Sequence, residues 1–77
     1  MMHLDRIVID EKIMHGKPVI KGTRVPVEVI LGSLAAGMSY EEIEKEYGIT
    51  REDILAAIEY ASKIVSEEKV RPLEAEA

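Results

Sequence analysis

The chain has no cysteine, phenylalanine or tryptophan among its 77 residues. Without cysteine it cannot form a disulfide framework, a thiolate metal site or a cysteine nucleophile. Its apolar fraction of 47% is almost entirely aliphatic, with three tyrosines as the aromatic side chains. A chain of this length lies near the lower limit for a self-sufficient hydrophobic core. Because it also lacks large aromatic anchors, we expect it to gain burial by forming a homodimer.

Long apolar runs are also missing. No window approaches the roughly eighteen apolar residues that a membrane-spanning helix needs. The first twelve residues, "MMHLDRIVIDEK", contain Asp5 and Asp10 and have no long apolar stretch, so they do not resemble a signal peptide. We therefore expect a cytoplasmic protein.

The net charge of −5 is unevenly distributed. Residues 1–26 carry five cationic and three anionic side chains, whereas residues 27–77 carry five cationic and twelve anionic ones. An acidic chain is a poor non-specific ligand for nucleic acid, because phosphate neutralisation drives such binding. Any nucleic-acid contact is thus expected in the basic N-terminal part, and the acidic remainder suits solvent or a basic protein partner.

Residues 1–25 are predicted to be extended and rich in turns. "RIVID" and "PVI" are short β-branched runs, and His15-Gly16 and Lys21-Gly22 have the composition of turns. Pro18 favours an edge strand because it cannot donate a ladder hydrogen bond. The pattern predicts a β-hairpin or two edge strands.

Residues 26–67 are predicted to form three helices. Pro26 suits the first turn of helix one, and Gly37 its C-terminal end. Ser39 with Glu42 predicts a capping box at the start of helix two, which Gly48 ends, and Thr50 with Asp53 predicts another at helix three. The predicted apolar contacts of these helices involve Val27, Ile30, Leu31, Leu34, Met38, Ile43, Ile49, Ile54 and Ile58. Helix three is predicted to end near Ser66, followed by a flexible charged tail at residues 68–77.

Helices two and three have the spacing of a helix-turn-helix, so the predicted fold class is mainly α, a homeodomain-like trihelical core with an N-terminal β segment. A DNA-reading helix usually presents Arg, Lys, Asn or Gln at its start, and here only Arg51 qualifies. A structural or interaction module is therefore at least as good an interpretation. Helix three is also more apolar than a surface helix needs, and the excess at Leu55, Tyr60 and Ile64 predicts either a partner or dimer surface or a broad core face.

The sequence contains no motif for a catalytic site, a metal site or a nucleotide-binding site. "HGKPVIKG" lacks the GK[ST] of a phosphate-binding loop, because Pro18 follows Lys17. His3 and His15 have no clustered ligands at metal-binding spacing. We predict no enzyme activity and no cofactor.

The segment "GKPVIKGTRVPVEVILGSLAAGMSYEEIEKEYGITREDILAAIEYA", residues 16–61, closely resembles the family called domain of unknown function 433. The resemblance lies in the G-K-P-x-I-x-G-T-R-[IV]-P-V block, the "LAAG", the "EEI" and the final "YA". It implies a homeodomain-like, usually dimeric fold and an antitoxin of a type II toxin–antitoxin pair, with a PIN-like RNase toxin as partner and autorepression of the operon as a further role. From the matching block we predict Lys17, Lys21, Thr23 and Arg24 as the functional surface for nucleic acid or a partner. A DNA-binding regulator without a toxin, and a purely structural dimer module, remain open as alternatives.

Overall fold

A computed structural model of the protein describes residues 4–67. A single 3-10 turn, Leu4–Arg6, leads into strands β1 (Ile7–Asp10) and β2 (Ile13–Ile20). Three helices follow: α1 (Val27–Ala35), α2 (Tyr40–Tyr47) and α3 (Arg51–Glu67). The predicted fold class, three helices with an N-terminal β-hairpin, is confirmed. The predicted tail at 68–77 lies outside the described residues.

The hairpin is antiparallel but irregular, which corrects one predicted turn. Its chain reversal lies at Glu11-Lys12, and His15-Gly16 lies inside β2. Pairing is regular from Ile7 opposite Ile20 to Ile9 opposite Pro18, and then jumps so that Asp10 lies opposite Ile13. Residues 14–17 form the resulting bulge, in which Met14, His15 and Gly16 have φ angles of 50°, 58° and 82°. The prediction of a turn at His15-Gly16 was wrong, because the positive φ angles that such residues tolerate serve a bulge as well as a turn.

The helix ends follow the sequence signals. At the end of α1, the amide of Met38 donates to Ser33 and that of Gly37 to Leu34, the paired bonds of a Schellman motif. Gly37 has a φ of 95° there, and Gly48 adopts a left-handed conformation after α2. Both predicted capping boxes are present. Ser39 and Glu42 exchange bonds of 2.8 and 3.1 Å, and Thr50 and Asp53 exchange bonds of 3.0 and 3.2 Å. The positions where the helices begin and end are thus set locally.

One hydrophobic core joins the hairpin to the helices. Ile20 from β2 is 1% exposed and packs in the same cluster as the fully buried Ile30, Ile43 and Ile54. Each helix and the hairpin therefore contribute at least one isoleucine to a common centre. The further buried members of the cluster are Val27, Ile49 and Ala57. Burying an isoleucine side chain contributes about 1.5–3 kcal/mol, so the N-terminal segment is held on the helices by more than its polar contacts.

Two negative findings apply to residues 4–67. No helix there is long and apolar enough to cross a membrane. No group of three or more His, Asp or Glu side chains in this part of the chain is placed to hold a metal ion.

Candidate functional site

Residues 20–25, which we call the basic loop, form a short loop closed by its own hydrogen bonds. The amide of Ile20 donates to the carbonyl of Val25 at 3.0 Å, and the amide of Thr23 donates to the carbonyl of Ile20 at 3.0 Å. The Thr23 hydroxyl donates to that same carbonyl at 2.8 Å and accepts the amide of Val25 at 2.9 Å. Gly22, with a φ of 81°, occupies the third turn position, where a type II β-turn requires a positive φ. The backbone of the loop is therefore fixed by local bonds.

The basic loop presents two of the four predicted site residues of the family block. Lys21 and Arg24 are exposed, and neither makes an ion pair with any of residues 4–67. Lys17, by contrast, donates from its ammonium group to the carboxylate of Glu28 at 2.7 Å. Thr23 uses its hydroxyl as both donor and acceptor inside the loop. Lys21 and Arg24 are thus the members of the predicted set whose polar groups remain available to an external partner.

Arg6 connects the basic loop to the start of α3. The amide of Lys21 donates to the carbonyl of Arg6 at 2.7 Å, and the guanidinium of Arg6 donates to Oδ1 of Asp53 at 3.1 Å. The other oxygen of Asp53 accepts the amide of Thr50 at 3.0 Å. One carboxylate, with its side chain 11% exposed, therefore caps α3 and binds the N-terminal segment. The sequence pattern revealed the cap but not the ion pair, because the partners lie 47 positions apart.

Arg51, the predicted reading residue of α3, is engaged within the fold. Its Nε donates to Glu44 at 3.0 Å and its Nη2 to Glu41 at 3.4 Å. The guanidinium carbon also lies 4.7 Å from the centre of the Tyr40 ring, a cation–π geometry. The hydrogen bond to Glu44, with the negative charges of both glutamates, raises the pKa of Arg51 above its ordinary value. Arg51 therefore bridges α2 and α3, and a DNA contact by its side chain would compete with these bonds.

The predicted apolar residues of α3 do not form a single surface. Tyr60 and Ile64 are one helical turn apart and share a face, whereas Leu55 precedes Ile64 by two and a half turns, roughly, and lies on the opposite side. Tyr60 packs partly on the core, while Leu55 is 37% and Ile64 39% exposed. Val65, which the prediction omitted, is 63% exposed. The exposed apolar end of α3, Ile64 and Val65, lies beyond the last fully buried residue, Ala57.

A second cross-helix contact was missed from sequence. Ser33 in α1 is 9% exposed, and its hydroxyl donates to the carbonyl of Val29 at 2.9 Å. The same hydroxyl lies 3.0 Å from the hydroxyl of Tyr47, so it links α1 to α2. In the sequence, a serine inside an apolar stripe carries no signal of its hydrogen-bond partner.

Residues 7–61 match the model of the family described as protein of unknown function, DUF433. The match covers the hairpin, the basic loop, α1, α2 and most of α3. The chain belongs to the DUF433 family. Both the basic loop and Arg51 lie inside the DUF433 match, whereas Ile64 and Val65 follow it.

Relatives of this DUF433 protein include two curated proteins and one solved structure. An uncharacterised protein of Archaeoglobus fulgidus is 64% identical over 25 residues, which are 32% of this chain and 69% of that protein. A Mycobacterium tuberculosis protein named putative antitoxin VapB45 is 32% identical over 53 residues, 69% of this chain and 22% of that protein. The crystal structure of Rv2018 from M. tuberculosis superimposes with a TM-score of 0.66 at 31% identity, over 74% of this chain and 27% of that one. The DUF433 chain thus spans about a quarter of the length in each of the two mycobacterial matches.

Proposed function

We propose that this protein is an antitoxin-type protein that binds and neutralises an RNase toxin of the PIN-like class, and that it has a binding rather than a catalytic role. The family membership and the name of one relative support the proposal. The chain belongs to DUF433, and 69% of this chain aligns with a relative named putative antitoxin VapB45. We place the interaction in the cytoplasm, where a toxin that cleaves cellular RNA would act.

The observation that carries the proposal is the exposed apolar end of α3. The helix is 17 residues long, about 25 Å, but its fully buried residues end at Ala57. Ile64 and Val65 therefore extend past the core and keep apolar surface exposed within the described part of the chain. Side chains of this kind provide the apolar centre of an interface when a partner covers them.

The charge of α2 suits the same partner. Its eight residues include four glutamates and one lysine. The surface of a nuclease that binds RNA is cationic, because it must neutralise phosphates. Negative charge on α2 would steer such a surface towards the antitoxin and oppose RNA binding. We therefore propose that α2 supplies the electrostatic part of the interface and α3 the apolar part.

The test is co-expression with the product of the adjacent open reading frame in the same genome, followed by a pull-down and a growth assay. The unaltered chain is expected to form a complex and to rescue growth. Ile64→Asp places a charge in the apolar contact, and since truncation of a central interface residue costs 2 kcal/mol or more, roughly, affinity should fall by at least about 30-fold.

Ser62→Asp is the matched control. It adds the same charge at an exposed position of α3, nearly opposite Ile64 around the helix, so binding and rescue should be retained. Absence of a complex together with absence of growth rescue by the unaltered chain would refute the proposal. Equal losses in the two variants would refute the role of Ile64 and leave toxin binding in place.

A second candidate function is transcriptional regulation, including repression of the protein's own operon. The favouring observation is the arrangement of α2 and α3, two capped helices joined by a short turn at residues 48–50, as in DNA-binding domains of this kind. A gel-shift assay on the DNA upstream of the gene tests it, and a regulator should bind with an affinity that falls steeply as salt rises. Binding that is undetectable or insensitive to salt would contradict it.

We also propose that the protein is a homodimer, as expected for a short chain with few large anchors. Sedimentation velocity over a range of protein concentrations measures this directly. A single species with the mass of one chain at all concentrations would contradict it.

A further inference from the structure

The cationic side chains of residues 4–67 fall into two groups. Eight arginines and lysines lie in this range. Four of them form ion pairs with carboxylates of the same chain: Arg6, Lys17, Arg51 and Lys63. The other four have no ion-pair partner among the described residues: Lys12, Lys21, Arg24 and Lys45. The chain therefore compensates half of these charges internally.

Within the second group, position separates the basic loop from the rest. Lys12 follows Asp10 and Glu11 at the hairpin reversal, and Lys45 lies between glutamates of α2. Lys21 and Arg24, by contrast, occupy the two ends of one loop with no acidic residue between them. Asp5, next to the Arg6 carbonyl that binds the loop, makes no ion pair with either side chain.

The loop is also built to hold the two cations in place. Four hydrogen bonds fix its backbone, and a fifth, from Lys21 to Arg6, attaches it to the body of the protein. Binding a ligand then requires ordering of two side chains only, since the loop has already been ordered by folding. Two neighbouring cationic side chains on one loop can each neutralise a phosphate of a nucleic-acid backbone, which is the contact that drives such binding.

The start of α3 has the opposite character. Arg51 is held by Glu41 and Glu44, Glu52 is exposed in the first turn, and the carboxylate of Asp53 is used by the cap. A phosphate approaching this helix would meet two cations, Arg51 and Arg6, that are each paired with a carboxylate of the chain.

We infer that the basic loop, and not the N-terminus of α3, is the surface through which this protein contacts the phosphate backbone of nucleic acid, with Lys21 and Arg24 each binding one phosphate. The inference does not depend on toxin binding. It reverses the usual assignment for a helix-turn-helix, in which the second helix makes the decisive contacts. DNA and RNA share the chemistry concerned, so both are included in the test.

The expected salt dependence follows from the number of phosphates neutralised. Each contact to duplex DNA contributes a slope of about −0.9 to the logarithm of affinity against the logarithm of salt concentration, so two give about −1.8 for each chain. Raising salt from about 50 to about 200 mM should therefore weaken binding about tenfold per chain. Removing one of the two cations should reduce that factor to about three or four.

The experiment is an NMR titration of the ¹⁵N-labelled full chain at low salt, paired with fluorescence anisotropy to measure affinity. The probes are a short DNA duplex of mixed sequence, the same sequence as duplex RNA, and the single RNA strand. We expect the amide signals of residues 21–25 to shift with at least one probe, while those at the start of α3 stay in place. The probe that binds most tightly identifies which nucleic acid is preferred.

Charge-matched variants separate local contact from the general effect of net charge. Lys21→Gln and Arg24→Gln remove one positive charge each from the loop, and Lys45→Gln removes one from α2. The loop variants should each lower affinity about threefold or more and flatten the salt slope, whereas Lys45→Gln should change both only slightly. Arg51→Gln should behave like Lys45→Gln.

Three results would overturn the inference. The first is a titration in which the shifted amides are those of residues 51–55, and the second is an equal effect of all four variants. The third is the absence of any shift with DNA or RNA at low salt. If toxin binding fails but the loop signals move, the phosphate contact stands without the proposed antitoxin function.

Discussion

Asp53 should be the most destabilising single position outside the apolar core, because one carboxylate performs two structural tasks. Its Oδ2 accepts the Thr50 amide at the start of α3, and its Oδ1 accepts the guanidinium of Arg6, which carries the basic loop. Asp53→Ala removes both bonds and the negative charge at the helix N-terminus. It leaves the Thr50 amide without its acceptor and Arg6 without its partner.

The size of the effect can be estimated contact by contact. Losing the capping interaction costs about 1 kcal/mol, within a usual range of about 0.5–2. The negative charge at a helix N-terminus contributes about 0.3–1 kcal/mol. The ion pair to Arg6, whose side chain is 41% exposed, is screened by solvent and contributes about 0.5–1 kcal/mol. The total of about 2–3 kcal/mol compares with the 5–15 kcal/mol, roughly, by which domains are stable, and should lower Tm by about 10–20 °C.

Urea unfolding followed by circular dichroism measures this cost, at two protein concentrations so that association can be separated from folding. Asp53→Asn retains a carbonyl oxygen for the cap and loses the charge, so it should cost about half as much as Asp53→Ala. Glu52→Ala, at an exposed position of the same helical turn, removes a negative charge near the N-terminus of α3 but breaks no capping bond. It should therefore cost much less than Asp53→Ala. Arg6→Met keeps the aliphatic stem and, combined with Asp53→Ala, gives the coupling energy of the pair, expected to be about 0.5–1 kcal/mol.

The reasoning would be refuted if Asp53→Ala lowered the free energy of unfolding by less than about 0.5 kcal/mol, below the range for loss of a cap. A coupling energy indistinguishable from zero would refute the claim that Arg6 is held through Asp53. Equal effects of Asp53→Ala and Asp53→Asn would assign the whole contribution to charge and none to the cap.

Three further substitutions test other contacts, each by the same unfolding measurement. Gly32→Ala, in α1 with open space around the new methyl group, should raise stability by about 0.5–1 kcal/mol, and a loss would indicate a contact that the structure lacks. Gly22→Ala also meets no atom within 4 Å, but its φ of 81° should make it cost about 1–2 kcal/mol, so a neutral result would mean that the basic loop is not held in this turn. Tyr47→Phe removes the hydroxyl bonded to Ser33 and should cost about 0.5–1.5 kcal/mol, because the serine keeps its bond to Val29; no change would show that this bond does not support the packing of α1 on α2.

The sequence predicted the parts of the fold that depend on local chemistry. The start of each helix and the ends of α1 and α2 have a signal within four residues, such as Ser39 with Glu42 or a glycine at a left-handed position. These boundaries were predicted to within about a residue. The hairpin reversal was misplaced because a positive φ at Gly16 serves a bulge as readily as a turn. Local sequence signals indicate which backbone conformation a residue prefers, but they do not indicate which residues pair across the two strands.

The candidate site could be predicted only in part, because which of its side chains are paired depends on residues that are distant along the chain. Lys17, Lys21 and Arg24 look alike in the sequence, yet Lys17 pairs with Glu28 from α1, whereas Lys21 and Arg24 make no ion pair with any of residues 4–67. Thr23 was predicted as part of the functional surface, and the structure shows that its hydroxyl makes hydrogen bonds within the turn. Leu55 and Ile64 were grouped by composition, and the helical periodicity separates them.

The ion pairs and capping bonds at the start of α3 also bear on whether this helix can read DNA. A helix that reads DNA needs unengaged side chains in its first turn, and this is also the turn that must be capped and packed on the preceding helix. In this chain both requirements fall on the same residues. Asp53 accepts the capping bond and the bond from Arg6, and Arg51 donates to Glu41 and Glu44. A DNA contact made by Arg51 would compete with its bonds to Glu41 and Glu44. The basic loop has no such conflict, because its bonds are made by its backbone and by Thr23, and within residues 4–67 neither Lys21 nor Arg24 is held in an ion pair. The proposed phosphate contact at the basic loop would therefore leave the bonds at the start of α3 intact.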